Sequence, residues 1–107
     1  MFKNLSFLLP VDRLYETPRL LAFHHPKPDY PVHILIIPKK VVHTLLELPE
    51  TENEFAPQFM EYLLDCVRKL VTDFGLESSG YRLIVNGGIY QEIPELHFHL
   101  VSGIFRD

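Results

Sequence analysis

The sequence predicts one α+β domain, spanning residues 1–107 and built on an antiparallel five-stranded sheet with one long helix and a short helix. Two observations carry this prediction. Eight of the nine prolines lie between Pro10 and Pro57, which favours short strands and turns in the first half of the chain. One long helical stripe then precedes two further strand-like segments. A length of 107 residues leaves room for only one adequate core.

Three strand candidates occupy the proline-rich first half of the chain. Val11–Tyr15 is a weak candidate, and Leu20–His24 follows the turn expected at Thr17-Pro18. Val32–Ile37 is the strongest, because it is rich in β-branched and apolar residues and is ended by Pro38. Apolar residues occupy both of its faces, so we expect this strand at the centre of the sheet.

The long helix is predicted from an apolar stripe that packs on the sheet and ends where Gly75 supplies a left-handed stop. Thr51 and Glu54 match a capping box, whereas Pro57 prefers a first turn, so the helix is expected to begin between residues 53 and 57. A short helical turn is expected at Thr44–Leu48. The residues of the stripe are Phe59, Leu63, Cys66, Val67, Leu70, Val71 and Phe74.

Two further strands are predicted after the long helix, and the last one contains the candidate catalytic or ligand-binding residues. Tyr81–Val85 is broken by Gly87-Gly88, and Leu96–Val101 follows a loop containing Pro94. Side chains alternate along a strand, so the apolar side chains of the last strand face the helix. The opposite face carries Glu95, His97, His99 and Val101.

Two imidazoles at positions i and i+2 permit several kinds of chemistry. They can lie on a solvated face, bind a metal with a third ligand from Glu95, His33 or His25, or bind an anion when protonated. One imidazole can also act as a nucleophile while the other moves protons. The residues by themselves leave these alternatives open.

The composition limits the partners of the protein. A formal net charge of −4 without a cluster of Lys or Arg along the sequence argues against binding to nucleic acids or to a membrane surface, although one anionic ligand in a local site remains compatible. No segment approaches the roughly 20 apolar residues of a membrane span. Cys66 is the single cysteine, so no internal disulfide is expected, and a cytoplasmic location is expected.

Four segments, in order and at matching spacing, resemble the histidine triad (HIT) family, in its nucleotide-binding branch. Residues 20–24 resemble that family's L-A-F-H strand, residues 32–40 its V-I-P-K-K strand, and residues 81–86 its Y-R-M-V-V-N strand. Residues 95–101 lie where the family has its triad of histidines. The long helix also ends similarly, with D-F-G-L at residues 73–76, and the resemblance covers roughly residues 13 to 103.

The resemblance implies a HIT-like fold and a nucleoside phosphoramidase or nucleotidyl hydrolase that needs no metal or other cofactor. His97 matches the nucleophile that attacks the α-phosphate, while His99 and His33 match the proton relay. Asn86 matches a phosphate-side amide and Phe23 a wall of the nucleoside pocket. The implied ligand is a purine nucleotide or nucleoside phosphoramidate, and the implied assembly is a homodimer.

The chain departs from the family pattern within the site itself. Glu95 replaces the first histidine of the triad, His25 replaces a ribose-binding aspartate, and Glu92 replaces a phosphate-contacting serine, so that only Gln91 remains of a Gly-Gln-Ser pattern. Two alternative functions therefore stay open. One is a nucleotide-binding module with weak or lost catalysis, and the other is a metal-binding protein that uses the histidine cluster.

Overall fold

A computed structural model of the chain describes residues 12 to 104. Its five strands are β1 (Arg13–Glu16), β2 (Leu20–His24), β3 (Val32–Pro38), β4 (Arg82–Val85) and β5 (Phe98–Ser102). Its α-helices are α1 (Phe55–Asp73) and the single turn α2 (Leu76–Ser79), and two 3₁₀ helices lie at Leu45–Glu50 and Gly88–Tyr90. None of these helices is long and apolar enough to cross a membrane.

The five strands form one antiparallel sheet in the order β1-β2-β3-β5-β4. The predicted α+β class and the central position of β3 are therefore confirmed. The strand also includes Pro38, which pairs with Leu20 at its end. Proline is tolerated there because the last residue of a strand need not donate to the ladder.

Helix α1 covers one face of the sheet. Its buried side chains Phe59, Leu63 and Leu70 share one core with Ile34 and Leu100 of the central strands. Cys66 belongs to this core as predicted, and burial raises the pKa of its thiol to about 12. The opposite face of the sheet is left to a smaller apolar cluster of Leu21, Phe23, Leu35 and Ile37, and to the histidines.

The helix boundaries correct the predicted capping box. Glu54 is the N-cap residue, but its φ of 60° places it in the left-handed region and its side chain makes no capping hydrogen bond. The Thr51 hydroxyl instead donates to the carbonyl of Leu48, closing the 3₁₀ helix rather than opening α1. Helix α1 begins at Phe55, within the predicted range, and Gly75 follows it with a φ of 64° as expected.

Other boundaries also differ from the sequence prediction. The short helical element is a 3₁₀ helix that begins at Leu45, after Thr44 accepts a capping hydrogen bond from the amide of Glu47. Strand β1 occupies residues 13–16 rather than 11–15, and Val11 lies outside the described residues. Strand β5 begins at residue 98 rather than 96, because the amide of Leu96 donates to the carbonyl of Val42 instead of joining the ladder.

Candidate active site

The pairing of β3 with β5 brings His33 and His99 together on the face opposite α1. In this antiparallel register His99 lies opposite Leu35, and His33 lies opposite Val101. Side chains two residues apart point to the same face of a strand, so the two imidazoles share one face. Nε2 of His33 lies 2.9 Å from Nδ1 of His99, which is hydrogen-bonding distance.

A backbone amide sets the direction of this hydrogen bond. The amide of Asp29 donates to Nδ1 of His33 at 3.0 Å, so the proton of a neutral His33 lies on Nε2. His33 then donates to Nδ1 of His99. The proton of a neutral His99 consequently lies on its own Nε2, where it is available to a bound ligand.

His97 is oriented by a different backbone group. Its Nδ1 lies 2.8 Å from the carbonyl oxygen of Glu95, which only accepts, so Nδ1 carries the proton and Nε2 carries the lone pair. The rings of His97 and His99 are 5.0 Å apart and nearly perpendicular. The site therefore places a donor N–H of His99 beside a basic nitrogen of His97.

His25 extends the cluster. Its ring lies 4.4 Å from that of His33, and its Nδ1 accepts from the amide of Lys27 at 2.9 Å. Burial lowers the pKa of His25, His33 and His99, and that of His99 falls to about 4, with the neighbouring imidazoles adding to the effect of burial. These three rings are therefore neutral near pH 7.

Two cavities open beside the cluster. One has a volume of about 210 Å³ and is lined by His25, Asp29, Leu35, Asn86, Tyr90, Glu92, Ile93, His97 and His99. A smaller one of about 150 Å³ is lined by Asp29, Tyr30, His33, Ile84, Asn86, His99 and Val101. Asp29, Asn86 and His99 line both cavities, so a ligand in either one would meet them.

The structure brings some of the predicted site residues together at the larger cavity and leaves the others outside its lining. The larger cavity brings together His97, His99, His25 and Asn86, and hydrogen bonding connects His33 to them. Glu95 contributes its backbone carbonyl to His97, whereas the acidic residues that line the larger cavity are Asp29 and Glu92.

Gln91 and Phe23 lie outside the lining of both cavities. The side-chain amide of Gln91 donates to the carbonyls of His43 and Ile93, so it braces the loop before the site. Phe23 packs in a small apolar cluster with Leu35, which does line the larger cavity. Phe23 is paired with Leu35 across β2 and β3, so it lies beside this wall without lining the cavity.

Sequence reasoning missed Asp29, Tyr90 and Ile93. Asp29 acts through its backbone amide, which has no signature in the side-chain pattern. Tyr90 and Ile93 are exposed apolar residues in the loop that carries Glu92, at 75% and 41% exposure. The sequence carried no signal for these two residues, because the exposure of large apolar side chains beside a pocket is visible only in the folded chain.

The metal-binding alternative gains no support from this geometry. Within residues 12 to 104, no group of three His, Cys, Asp or Glu side chains is arranged to hold a metal ion. Both nitrogens of His33 are already engaged, Nδ1 as an acceptor and Nε2 as a donor. His33 therefore has no lone pair left for a metal.

The buried imidazoles predict that acid destabilises the fold. An unfolded histidine has a pKa of about 6.5, so between about pH 6.5 and pH 4 the unfolded chain binds protons that the folded His99 does not. The free energy of unfolding should therefore fall as the pH is lowered through this window. Urea unfolding at several pH values measures it, and the dependence should be shallower in His99→Gln. An equally steep dependence in that variant would contradict this origin.

Comparison with known proteins places these features in one family. The family model for the HIT domain matches residues 8–105. An uncharacterized HIT-like protein of Buchnera aphidicola (subsp. Baizongia pistaciae) is 32% identical over 103 residues, which cover 94% of this chain and 88% of that protein. Similarity therefore extends over almost the whole chain and is not confined to the histidine motif.

Solved structures show the same architecture. A HIT family hydrolase from Clostridium thermocellum matches with a TM-score of 0.76 at 33% identity, covering 94% of this chain and 85% of that one. A histidine triad nucleotide-binding protein from Candida albicans matches with a TM-score of 0.76 at 26% identity, covering 96% of this chain and 71% of that one. The antiparallel sheet with one long helix is common to this chain and its relatives.

Proposed function

This chain belongs to the HIT family, and on that premise we propose that it binds a purine nucleotide and hydrolyses a nucleoside phosphoramidate at the α-phosphate through His97. The observation that carries the proposal is the directed chain of hydrogen bonds. Asp29 fixes the proton of His33, His33 fixes that of His99, and the Glu95 carbonyl fixes that of His97. Similarity to a HIT family hydrolase and to a histidine triad nucleotide-binding protein supports both halves of the proposal.

The first proposed step transfers the nucleotide to the protein. The lone pair on Nε2 of His97 forms a bond to the α-phosphorus, and the bond from that phosphorus to the leaving nitrogen breaks. The leaving amine takes one proton from solvent, while the Nε2–H of His99 hydrogen-bonds the leaving nitrogen and His33 holds His99 in that tautomer through their shared hydrogen bond. The products are a neutral amine and a nucleotidyl-His97 intermediate.

The second proposed step regenerates the protein. Water attacks the phosphorus, loses one proton to solvent, and displaces Nε2 of His97, which returns to its neutral form as a nucleoside monophosphate is released. Burial lowers the pKa of His99 to about 4, so this ring stays neutral near pH 7 and takes part through its Nε2–H donor. Asn86 lines both cavities and is proposed to donate its side-chain amide to a phosphoryl oxygen.

Release of AMP from an adenosine phosphoramidate, followed by mass spectrometry, tests the proposal directly. The wild-type chain is expected to release AMP well above the rate in buffer, and rapid quenching is expected to trap the chain with one AMP attached. Calorimetry with AMP measures binding separately from turnover. Binding without release would favour a nucleotide-binding module and would refute the hydrolase proposal.

Glu92 is expected to limit ligand affinity. This residue lines the same cavity as His97 and His99, so its carboxylate repels a phosphate bound there. Replacing it as Glu92→Gln keeps its size but removes the charge, and AMP should then bind about fivefold to tenfold more tightly at low salt. The gain should shrink as salt increases, because partly exposed charges are screened.

A control variant separates this local effect from net charge. Glu61 is an exposed residue on α1, and Glu61→Gln changes the net charge of the chain by the same amount. Its affinity for AMP is expected to equal that of the wild type. Equal gains in the two variants would show that Glu92 acts only through the overall charge.

We further propose that the chain forms a homodimer. Strand β4 is an edge strand of the sheet, and the neighbouring Tyr81 and Leu83 are large apolar residues with 47% and 40% exposure. Met60 and Leu64 of α1 are exposed as well. Light scattering should give a dimeric mass at micromolar concentration, and Leu83→Asp should shift it towards the monomer. A wild-type monomer at that concentration would refute the proposal.

A further inference from the structure

A third cavity lies at the other end of the sheet, where β2 begins, β3 ends and α1 begins. Its volume is about 400 Å³, and its lining is Pro18, Arg19, Lys39, Lys40, Val41, Glu52, Asn53 and Phe55. Lys39 is six residues beyond His33, so the cavity lies about 20 Å along β3 from the histidine cluster. The two sites share no lining residue.

The charged groups of Arg19 and Lys40 both lie over the ring of Phe55 in this cavity. Cζ of Arg19 lies 5.8 Å from the ring centroid, and Nζ of Lys40 lies 5.7 Å from it. Phe55 is only 5% exposed, so the ring is fixed in the core. Nε of Arg19 also donates to Oε1 of Gln58 at 2.8 Å. The guanidinium is therefore positioned in advance, with its terminal nitrogens left for a ligand.

The positive charge of the cavity is not balanced by nearby carboxylates. Lys39 is paired with Glu16, but in the part of the chain that the structure describes neither Arg19 nor Lys40 has a carboxylate within 4 Å. Glu52 lines the cavity without pairing with either cation. This local excess of positive charge contrasts with the formal net charge of −4 of the whole chain.

The start of α1 adds to this positive potential. Helix α1 has no acidic residue in its first turn, and its N-cap residue Glu54 makes no side-chain capping hydrogen bond. The N-terminal end of a helix carries a partial positive charge, which α1 directs towards the cavity that Phe55 lines. Two unpaired cations that share one cavity repel each other, and an anion placed between them would relieve that repulsion.

We propose that this cavity is a second ligand site, which binds a small phosphate-bearing anion through Arg19 and Lys40. Arginine suits phosphate because its planar guanidinium offers two parallel N–H donors to the oxygens. The two positive charges match a dianion. The cavity is larger than one phosphate group, and its apolar side at Pro18 and Val41 leaves space for a second phosphate or for an organic group.

A pyrophosphate titration of the whole chain, followed by NMR, tests this proposal. The amides of Lys40, Val41 and Phe55, together with the Nε–H of Arg19, are expected to shift in a saturable way. Lys40→Gln is expected to weaken the binding about tenfold, because it removes one charge-assisted contact at an exposed position. Arg19→Lys, checked for folding by thermal unfolding, should weaken it as well.

A matched lysine variant and a second probe complete the experiment. Lys69 of α1 is exposed, pairs with Asp73 and lies outside the cavity, so Lys69→Gln should bind pyrophosphate as the wild type does. Titration with ADP distinguishes the source of the phosphate, since tighter binding of ADP than of pyrophosphate at these same resonances would identify a nucleotide. Shifts that do not saturate, shifts confined to the histidine cluster, or equal losses in Lys69→Gln and Lys40→Gln would overturn the proposal.

Discussion

His97→Ala is expected to abolish the release of AMP from an adenosine phosphoramidate, with a loss of at least about a thousandfold in rate. The variant removes the nitrogen that the Glu95 carbonyl orients for attack, and the covalent route has no other nucleophile in that position. The trapped nucleotidyl intermediate should disappear together with the activity. Mass spectrometry of AMP and of the quenched chain measures both effects.

Two controls distinguish the loss of a nucleophile from the loss of the fold. His97 is 8% exposed, so thermal unfolding of the variant should be compared with that of the wild type. His43 is an exposed histidine that lines neither of the two cavities beside the histidine cluster, and its Nδ1 lies 3.4 Å from Oε1 of Glu47. His43→Ala should therefore keep the wild-type rate. A folded His97→Ala chain that released AMP at the wild-type rate would refute the proposed mechanism.

Phe59→Ala is expected to lower the free energy of unfolding by about 3–5 kcal/mol, the usual cost of removing a buried aromatic ring. Phe59 is 0% exposed, and its ring lies 5.9 Å from that of Phe55 and 6.0 Å from that of Phe98. The residue therefore joins α1 to the strand that carries His99. Native domains are stable by roughly 5–15 kcal/mol, so this loss is large.

Urea unfolding at neutral pH measures this effect. Leu46 is a large apolar residue of the first 3₁₀ helix with 83% exposure, and Leu46→Ala should change the free energy of unfolding by no more than about 0.5 kcal/mol. Similar losses in the two variants would contradict the assignment of Phe59 to the core. Because Phe55 also lines the third cavity, Phe59→Ala is further expected to weaken pyrophosphate binding there.

The periodic elements could be predicted from the sequence because their signals are local. The bounds of β2 match the prediction, and β3 differs by one residue, since a strand of β-branched residues between prolines is recognisable by itself. Most of the apolar stripe of α1 is buried as expected. Phe74 is an exception at 36% exposure, where it lies against His24 beyond the end of the helix.

The first residue of β5 could not be predicted in the same way. Alternation along the chain extends from Leu96 to Leu100, and Leu96 is buried as that pattern requires. The hydrogen-bonding partner of its amide is nevertheless Val42, a residue more than fifty positions away. As a consequence Glu95 lies before the strand and turns its carbonyl to His97, while Glu92 lines the cavity.

The third cavity, which is lined by Arg19, Lys39 and Lys40, could not be predicted from the sequence either. In the sequence Lys39 and Lys40 read as the solvated end of a strand, and Arg19 lies twenty residues before them. The pairing of β2 with β3 places Arg19 beside Lys39, and Phe55 packs beneath Arg19 and Lys40, so these charges meet in one cavity. The absence of a basic cluster along the sequence therefore did not mean its absence in space.

The sequence by itself determined the succession of strands and one long helix along the chain, the family, and the pair of histidines that share a face. It could do so because side-chain alternation and helical periodicity depend on neighbouring residues. The tertiary structure alone decided which nitrogen of each histidine carries a proton and which carboxylate faces the ligand cavity. Those properties depend on hydrogen bonds across the sheet and from loops, such as the contact between His33 and His99. No local pattern encodes them.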